Sequence, residues 1–507
     1  MSKSLTASTI FIIASLLFTT RVSATPPRPE ISQLENIEPS KIYFNNYTTS
    51  SHFTAEVTPW NLSYSTPGGW KIYFISTYNT MLCTTPSNIF ALPSTENIVD
   101  RGTCRTLTSP LLNSTTYSIA PTLPLWRRDY YGVFSAHLIN SNSTPTIYTI
   151  NHGEAGSNNS NMGEKLPGCA PLPDMGYGEL SCGPNLWWGS YNAFISFSSF
   201  PFNTDNLNAP APQHFGPITW PSNGYIESLN GGSSYVKATD GGVRQPTGFI
   251  DNGYLYVYYE DLSQGNPALG RGPGLKVIRA PITSQGVDPS TFKTYYNGSW
   301  TDSALPLGFA LDQYYNSFSA KGGRSSDILN SPLRSVGPTP GSGRSDQRKI
   351  ADVISFSVAK VHNTPYYIGV GFDISVGATL RLSTDLVNWS APTLIPGSQY
   401  DFWTGSDIQK TPLLYPRLAR KSGDSNEGID ANDFYVIGTQ TRNVPGSFDQ
   451  KLVVATRLKL TLPDSIKPGD LNGDGSVNLL DFNLLITKFG NPYTILDFNA
   501  IIGNFGK

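Results

Sequence analysis

Asp470, Asn472 and Asp474 alternate along the chain, Gly475 follows, and Ser476, Asn478 and Asp481 complete a run of oxygen-bearing residues. At this spacing a tight loop can turn alternate oxygens inward around a hard cation, which needs six or more of them. Asp470, Asn472 and Asp474 take loop positions 1, 3 and 5, and Gly475 takes the sharp turn at position 6. Ser476 offers its backbone carbonyl, Asn478 acts directly or through water, and Asp481 closes the loop at position 12. The spacing predicts a loop for one calcium ion; the plainer reading is a turn rich in Asx and Gly.

Such a loop needs a helix to hold its closing residue. Leu480-Asp-Phe-Asn-Leu-Leu-Ile-Thr-Lys-Phe-Gly490 supplies one, and it recurs as Leu496-Asp-Phe-Asn-Ala-Ile-Ile-Gly-Asn-Phe-Gly506, identical at seven of eleven positions. Phe482, Leu485, Ile486 and Phe489 form one helical face, Phe498, Ile501, Ile502 and Phe505 a second, and the two faces are expected to pack on each other. This stretch, roughly 467–507, resembles the type I dockerins, duplicated loop-helix modules that bind calcium and plug into cohesin domains. The resemblance implies a cohesin-type partner. Only Asn491–Leu496 separates Gly490 from Asp497, so the second loop lacks acidic ligands and one ion is expected rather than two. Leu479-Leu480 and Ile495-Leu496 stand where dockerins often present recognition side chains, and here they are apolar.

At the other end, Lys3 precedes the apolar run Ile10–Phe18, and Val22-Ser-Ala24 follows with small-x-small spacing. That pattern predicts a signal peptide over 1–24, removed on export to give a secreted or surface-associated protein. The run is short for a membrane span, and no later stretch is apolar for long enough to be one. Four cysteines fall in two close pairs, Cys83/Cys104 and Cys169/Cys182, which in an exported chain predict two local disulfides. Neither pair has the CxxC spacing of a metal site. A net charge of −2 with scattered Lys and Arg gives no electrostatic case for nucleic acid.

Charged residues are only 14% and aromatics 12%, with 47 Gly, 39 Pro and 27 Tyr, a composition that favours a β-rich domain with many turns. After a lead-in over 25–50, residues 51–462 repeat a loose grammar of short β-rich run, turn, β-rich run and Trp- or Pro-bearing loop. Phe356–Phe372 with Ala378–Trp389 is the clearest copy, and Arg244–Glu260 with Leu275–Pro281 is a second. About five units of three or four antiparallel strands, none able to bury both faces alone, predict a five-bladed β-propeller; a pair of β-sandwiches is the alternative. The small helical module of 463–507 follows it.

The grammar resembles that of the five-bladed propeller glycosidases, through Arg244-Gln-Pro246…Tyr254–Glu260 and Ser383-Thr-Asp385-Leu-Val-Asn388-Trp389. That resemblance implies a polysaccharide or other glycan as partner and two carboxyl groups set across a sugar. The candidates are Glu154, beside His152 at the end of an apparent strand, Glu260, and Asp352. Arg244 is a candidate for holding a substrate carboxylate or hydroxyl, with an inter-blade salt bridge the simpler role. Trp187 and Trp188 are candidates for stacking on a sugar. The other reading is a propeller without catalysis that binds glycan or a cell-surface partner.

Overall fold

The computed structural model describes residues 30–45, 60–65, 71–75, 81–85, 103–106, 128–156, 170–171, 180–181, 187–188, 191–202, 213–215, 218–219, 241–261, 274–296, 298–302, 329, 353–373, 376–399, 413–422, 425–442, 450–463, 469–471, 476–489 and 495–506. The chain divides into two compact units, Pro29–Leu462 and a second that contains Pro463–Lys507. The first is mainly β, as its composition predicts.

Strand β1 (Gln33–Asn45) precedes a first sheet of β2 (Trp60–Ser65), β3 (Lys71–Ile75), β4 (Met81–Thr85) and β5 (Thr103–Thr106), paired in that order. The second sheet is β6 (Arg128–Ser141) and β7 (Thr144–Gly156), joined by β11 (Tyr191–Pro201) and β12 (Gln213–Phe215). Between them come three two-residue strands, β8 (Ala170–Pro171), β9 (Leu180–Ser181) and β10 (Trp187–Trp188), which among the described residues pair with one another. The third sheet holds β13 (Gly241–Asp251), β14 (Tyr254–Asp261), β15 (Gly274–Thr283), β16 (Gly286–Val287), β17 (Lys293–Tyr296) and β18 (Ser299–Asp302). A two-residue parallel contact, Asn192–Ala193 on Gly241–Gly242, links it to the second. The fourth is β19 (Val353–Val361), β20 (Tyr367–Asp373), β21 (Gly377–Ser383) and β22 (Thr393–Gln399). The fifth is β23 (Leu414–Arg420), β25 (Phe434–Arg442) and β26 (Gln450–Thr461), and β1 adds to it as a fourth strand. The remaining strand, β24 (Gly428–Ile429), leaves the fifth sheet to pair with β19.

The opening strands of the sheets touch in order around a ring: β2 on β6, β6 on β13, β13 on β19, and β19 on β23. The ring closes where the Arg417 guanidinium of β23 stacks 4.8 Å over the Trp60 ring of β2, while Trp60 Nε1 donates to the Ala136 carbonyl of β6 at 2.6 Å. The last sheet therefore takes its outer strand from the start of the unit, a pairing of high sequence separation that locks first element to last.

Burial explains why the strands read as nearly continuous apolar runs. Tyr254–Asp261 is buried from Leu255 onward on both faces. Leu255, Val257 and Tyr259 pack with Ile150, Ile195 and Phe197 of the second sheet. Tyr256 and Tyr258 pack with Val353, Phe356 and Trp389 on the fourth-sheet side. The Asn252-Gly253 hairpin has φ of 47° and 76°, the left-handed pair a tight two-residue turn requires.

Two sequence motifs find physical roles here. Gln245, Ser355 and Tyr415 have φ of 52°, 56° and 51°, and each lies at a register shift in the opening strand of its sheet. Pro246 and Pro416 follow two of them; proline fits where the ladder is interrupted because it has no N–H to donate. The Ser383–Trp389 segment is a self-bonded loop. Asp385 Oδ1 accepts from the Val387 and Asn388 amides at 3.0 and 2.7 Å, and Ser383 Oγ accepts from the Leu386 amide at 2.9 Å. This seats the buried Trp389 edge-on against Phe356 at 4.8 Å.

A strap runs from β23 to β25. The Glu427 carbonyl accepts from Lys360 N at 2.8 Å, and its carboxylate accepts from Ile250 N of the third sheet at 2.9 Å. The same oxygen stands 3.1 Å from His137 Nδ1 of the second sheet. Gly248 makes room for that histidine, since a Cβ there would lie 2.1 Å from its Nε2.

In the second unit, α1 (Leu479–Lys488) and α2 (Ile495–Asn504) pack through Leu485, Ile501 and Val477, with Phe482 and Phe498 6.3 Å apart. The expected face is narrower than its sequence pattern. Ile486, Phe489, Ile502 and Phe505 are 52–59% exposed, because each stands one residue or one turn beyond the strip that faces the other helix.

Candidate functional site

Asn192–Ala193 of β11 runs parallel to Gly241–Gly242 of β13, so the end of β7, paired with β11, and the end of β14, paired with β13, meet at one rim. Glu260 is the penultimate residue of β14, and Glu154 lies near the end of β7. Both carboxylate positions thus fall on one rim of adjoining sheets. Glu154 pairs with Ala193, Ala193 with Gly242, and Val243 with Asp261. Three strand steps separate the two positions, about 14 Å along the sheet. Asp352 lies outside the described residues, and of Glu154 and of Trp187 and Trp188 in β10 only the backbone is described.

Glu260 is 1% exposed and accepts from Arg244 Nε at 2.7 Å and Nη2 at 3.4 Å. Arg244 is opposite Glu260 in the β13–β14 ladder, so the pair lies within one sheet rather than between two. A candidate for catalysis and a candidate for substrate binding are therefore partners of each other.

Asp261 points to the opposite face, as alternation requires. Its Oδ2 accepts from Lys276 Nζ at 2.7 Å, and both side chains are fully buried. Neighbouring acids of one strand thus carry one cation each, on the two faces of the third sheet. Sequence reading missed Lys276, since Lys276 is registered opposite Tyr259 and reaches Asp261 only diagonally. On the fourth sheet, burial pulls the Arg381 guanidinium down to about 10, opposed by the charge of Asp373.

In the helical unit, Asp470 is 3% exposed and Asp481 fully buried. Asp481 Oδ1 accepts from Leu471 N at 2.7 Å and Oδ2 from Asn478 N at 2.8 Å, so the twelfth residue of the loop is tied to its second and ninth. Asn478 caps α1, its Oδ1 accepting from Leu480 N at 2.7 Å. Ser476 is exposed, and Asn472 and Asp474 lie outside the described residues.

Cys83 stands directly opposite Cys104 in the β4–β5 ladder. Cys169 and Cys182 lie outside the described residues. Among the described residues no helix is long and apolar enough to cross a membrane.

No family model matches the chain. No curated protein matches it either. Solved structures do. The catalytic domain of a Coprinopsis cinerea GH62 alpha-L-arabinofuranosidase aligns over 85% of this chain and 97% of its own, at 10% identity and a TM-score of 0.39. An alpha-L-arabinanase mutant from Cellvibrio cellulosa aligns over 78% and 89%, at 10% identity and 0.34. A Trypanosoma rangeli sialidase aligns over 85% and 60%, at 11% and 0.29.

Proposed function

We propose that the ring of five antiparallel sheets is a five-bladed β-propeller of an exported protein that hydrolyses O-glycosidic bonds of a polysaccharide. The observation that supports this reading is the fall of Glu154 and Glu260 on one rim of adjoining sheets; catalysis requires their side chains to narrow the roughly 14 Å between backbone positions to the roughly 5–9.5 Å at which two carboxyl groups flank a sugar. The C-terminal unit is proposed as a dockerin-like module that binds one calcium through Asp470, Asn472, Asp474, Ser476, Asn478 and Asp481 and attaches the propeller to a cohesin-type partner. The signal-like N-terminus supports export, and the opposed Cys83 and Cys104 support a disulfide between them.

One observation favours the second reading, a propeller that binds glycan without cleaving it. Glu260 is buried and clamped by Arg244, the arrangement of a structural clasp as much as of a reacting group. Reducing-sugar release by the secreted chain from a panel of plant and microbial polysaccharides separates the two. Release from at least one is the expected result; retained glycan binding with no release from any would replace hydrolysis by binding.

A further inference from the structure

Away from the rim, Arg279 of β15 is set in an aromatic cage. Its guanidinium carbon lies 4.2 Å from the Tyr254 ring centre and 4.1 Å from that of Trp300. Nη1 donates to the Tyr256 hydroxyl at 3.3 Å. Tyr295 meets Trp300 edge-on at 5.3 Å. Arg279, Tyr254, Tyr295 and Trp300 are all partly exposed.

Two ring centres lie within 4.2 Å of the guanidinium carbon, Nε is buried and Nη1 is used by Tyr256, so Nη2 is the donor left for a carboxylate. Elsewhere Arg244, Arg420 and Arg457 each face a carboxylate. Among the described residues Arg279 faces none. Its cross-strand neighbour Lys293 is matched by Asp302 at 3.4 Å. Asp251, whose charge reaches Tyr256, is taken by Asn252 and Tyr367 at 2.6 and 2.8 Å. The cage thus holds a guanidinium with no carboxylate in contact, among the described residues, beside part-exposed aromatic rings.

We infer that this cage is a second glycan site, specific for a sugar that bears a carboxylate: a uronic acid residue of the polysaccharide. The carboxylate lies in the guanidinium plane, and the apolar C–H face of the sugar covers the exposed part of Trp300 or Tyr295. The inference rests on the glycan reading above and adds a class of sugar to it.

The test is affinity electrophoresis of the full chain in gels containing polygalacturonate or neutral arabinan, with displacement by free galacturonate or galactose. Retardation by polygalacturonate is expected, with galacturonate displacing about tenfold better than galactose. Arg279→Gln abolishes the retardation, and Arg279→Lys, which keeps the charge and loses the planar fork, keeps part of it. The inference is overturned if polygalacturonate does not retard the wild-type chain, if the two sugars displace equally, or if folded Arg279→Gln migrates like wild type. Should Arg279→Gln not fold, the displacement result on the wild-type chain decides. Sugar release or arabinan binding without polygalacturonate binding removes this site alone; the absence of all three removes the glycan reading as well.

Discussion

Asp433 accepts from Arg457 through both carboxylate oxygens, each at 2.7 Å, and from Lys421 at 2.5 Å. The Arg457 hydrogen bonds foremost hold its carboxyl below the usual range, against an opposing effect of burial. A depressed carboxyl contributes stability above its unfolded value, near 3.9, and that contribution is lost as pH falls through the folded value. Asp433→Asn should therefore cost about 1 kcal/mol at pH 7, the upper end for a partly solvated pair. Melting curves should show the gap to wild type narrowing as pH falls below about 4; a gap that stays undiminished to the acid limit of the folded protein contradicts the assignment. Lys276 tests a different regime. Lys276→Met leaves Asp261 buried and unmatched, and chemical denaturation should show a loss of about 3–5 kcal/mol. Adding Asp261→Leu should recover most of it, since removing both charges also removes their desolvation cost. None of these pairs was visible in the sequence. Ion pairing depends on which residues a register sets diagonally or opposite, and the charged residues carry no local pattern that fixes it. Glu260 was legible as the end of a strand; its partner Arg244 was legible only as part of an Arg-x-Pro motif.

At the scale of elements more could be read. The Asn252-Gly253 and Asn363-Thr-Pro turns announce their hairpins, because left-handed φ narrows the residue choice locally. The helical repeat was also legible, but its apolar face was read too wide, and Ile486, Phe489, Ile502 and Phe505 stand in solvent. A sequence period marks a stripe and not its limits, which depend on how closely two short helices approach. The loop that opens α1 carries the calcium prediction. Titration should give one ion per chain at roughly 10⁻⁴–10⁻³ M, and Asp470→Ala with Asp474→Ala should abolish it. Because the metal binds the folded loop alone, saturation about 100-fold above its dissociation constant should stabilise the module by about 2.7 kcal/mol. Two equivalent sites, or unchanged binding by the double variant, would contradict a single loop.

For the whole molecule, the count of five units followed from the recurring grammar, whereas closure did not. Pairing of β1 with β26 spans most of the first unit, and no local signal in Gln33–Asn45 names its partner. The strap residue Glu427, which ties the second, third and fourth sheets to the fifth, was equally hidden. Both devices hold the ring so that one rim gathers the strand ends with Glu154 and Glu260. The central claim is that this rim cleaves glycosidic bonds with those carboxylates. It is tested most directly by reducing-end release from polysaccharide by the wild-type chain beside folded Glu154→Gln and Glu260→Gln variants. The predicted result is release by wild type and a loss of about a hundredfold or more in each variant. Undiminished release by both variants would contradict it.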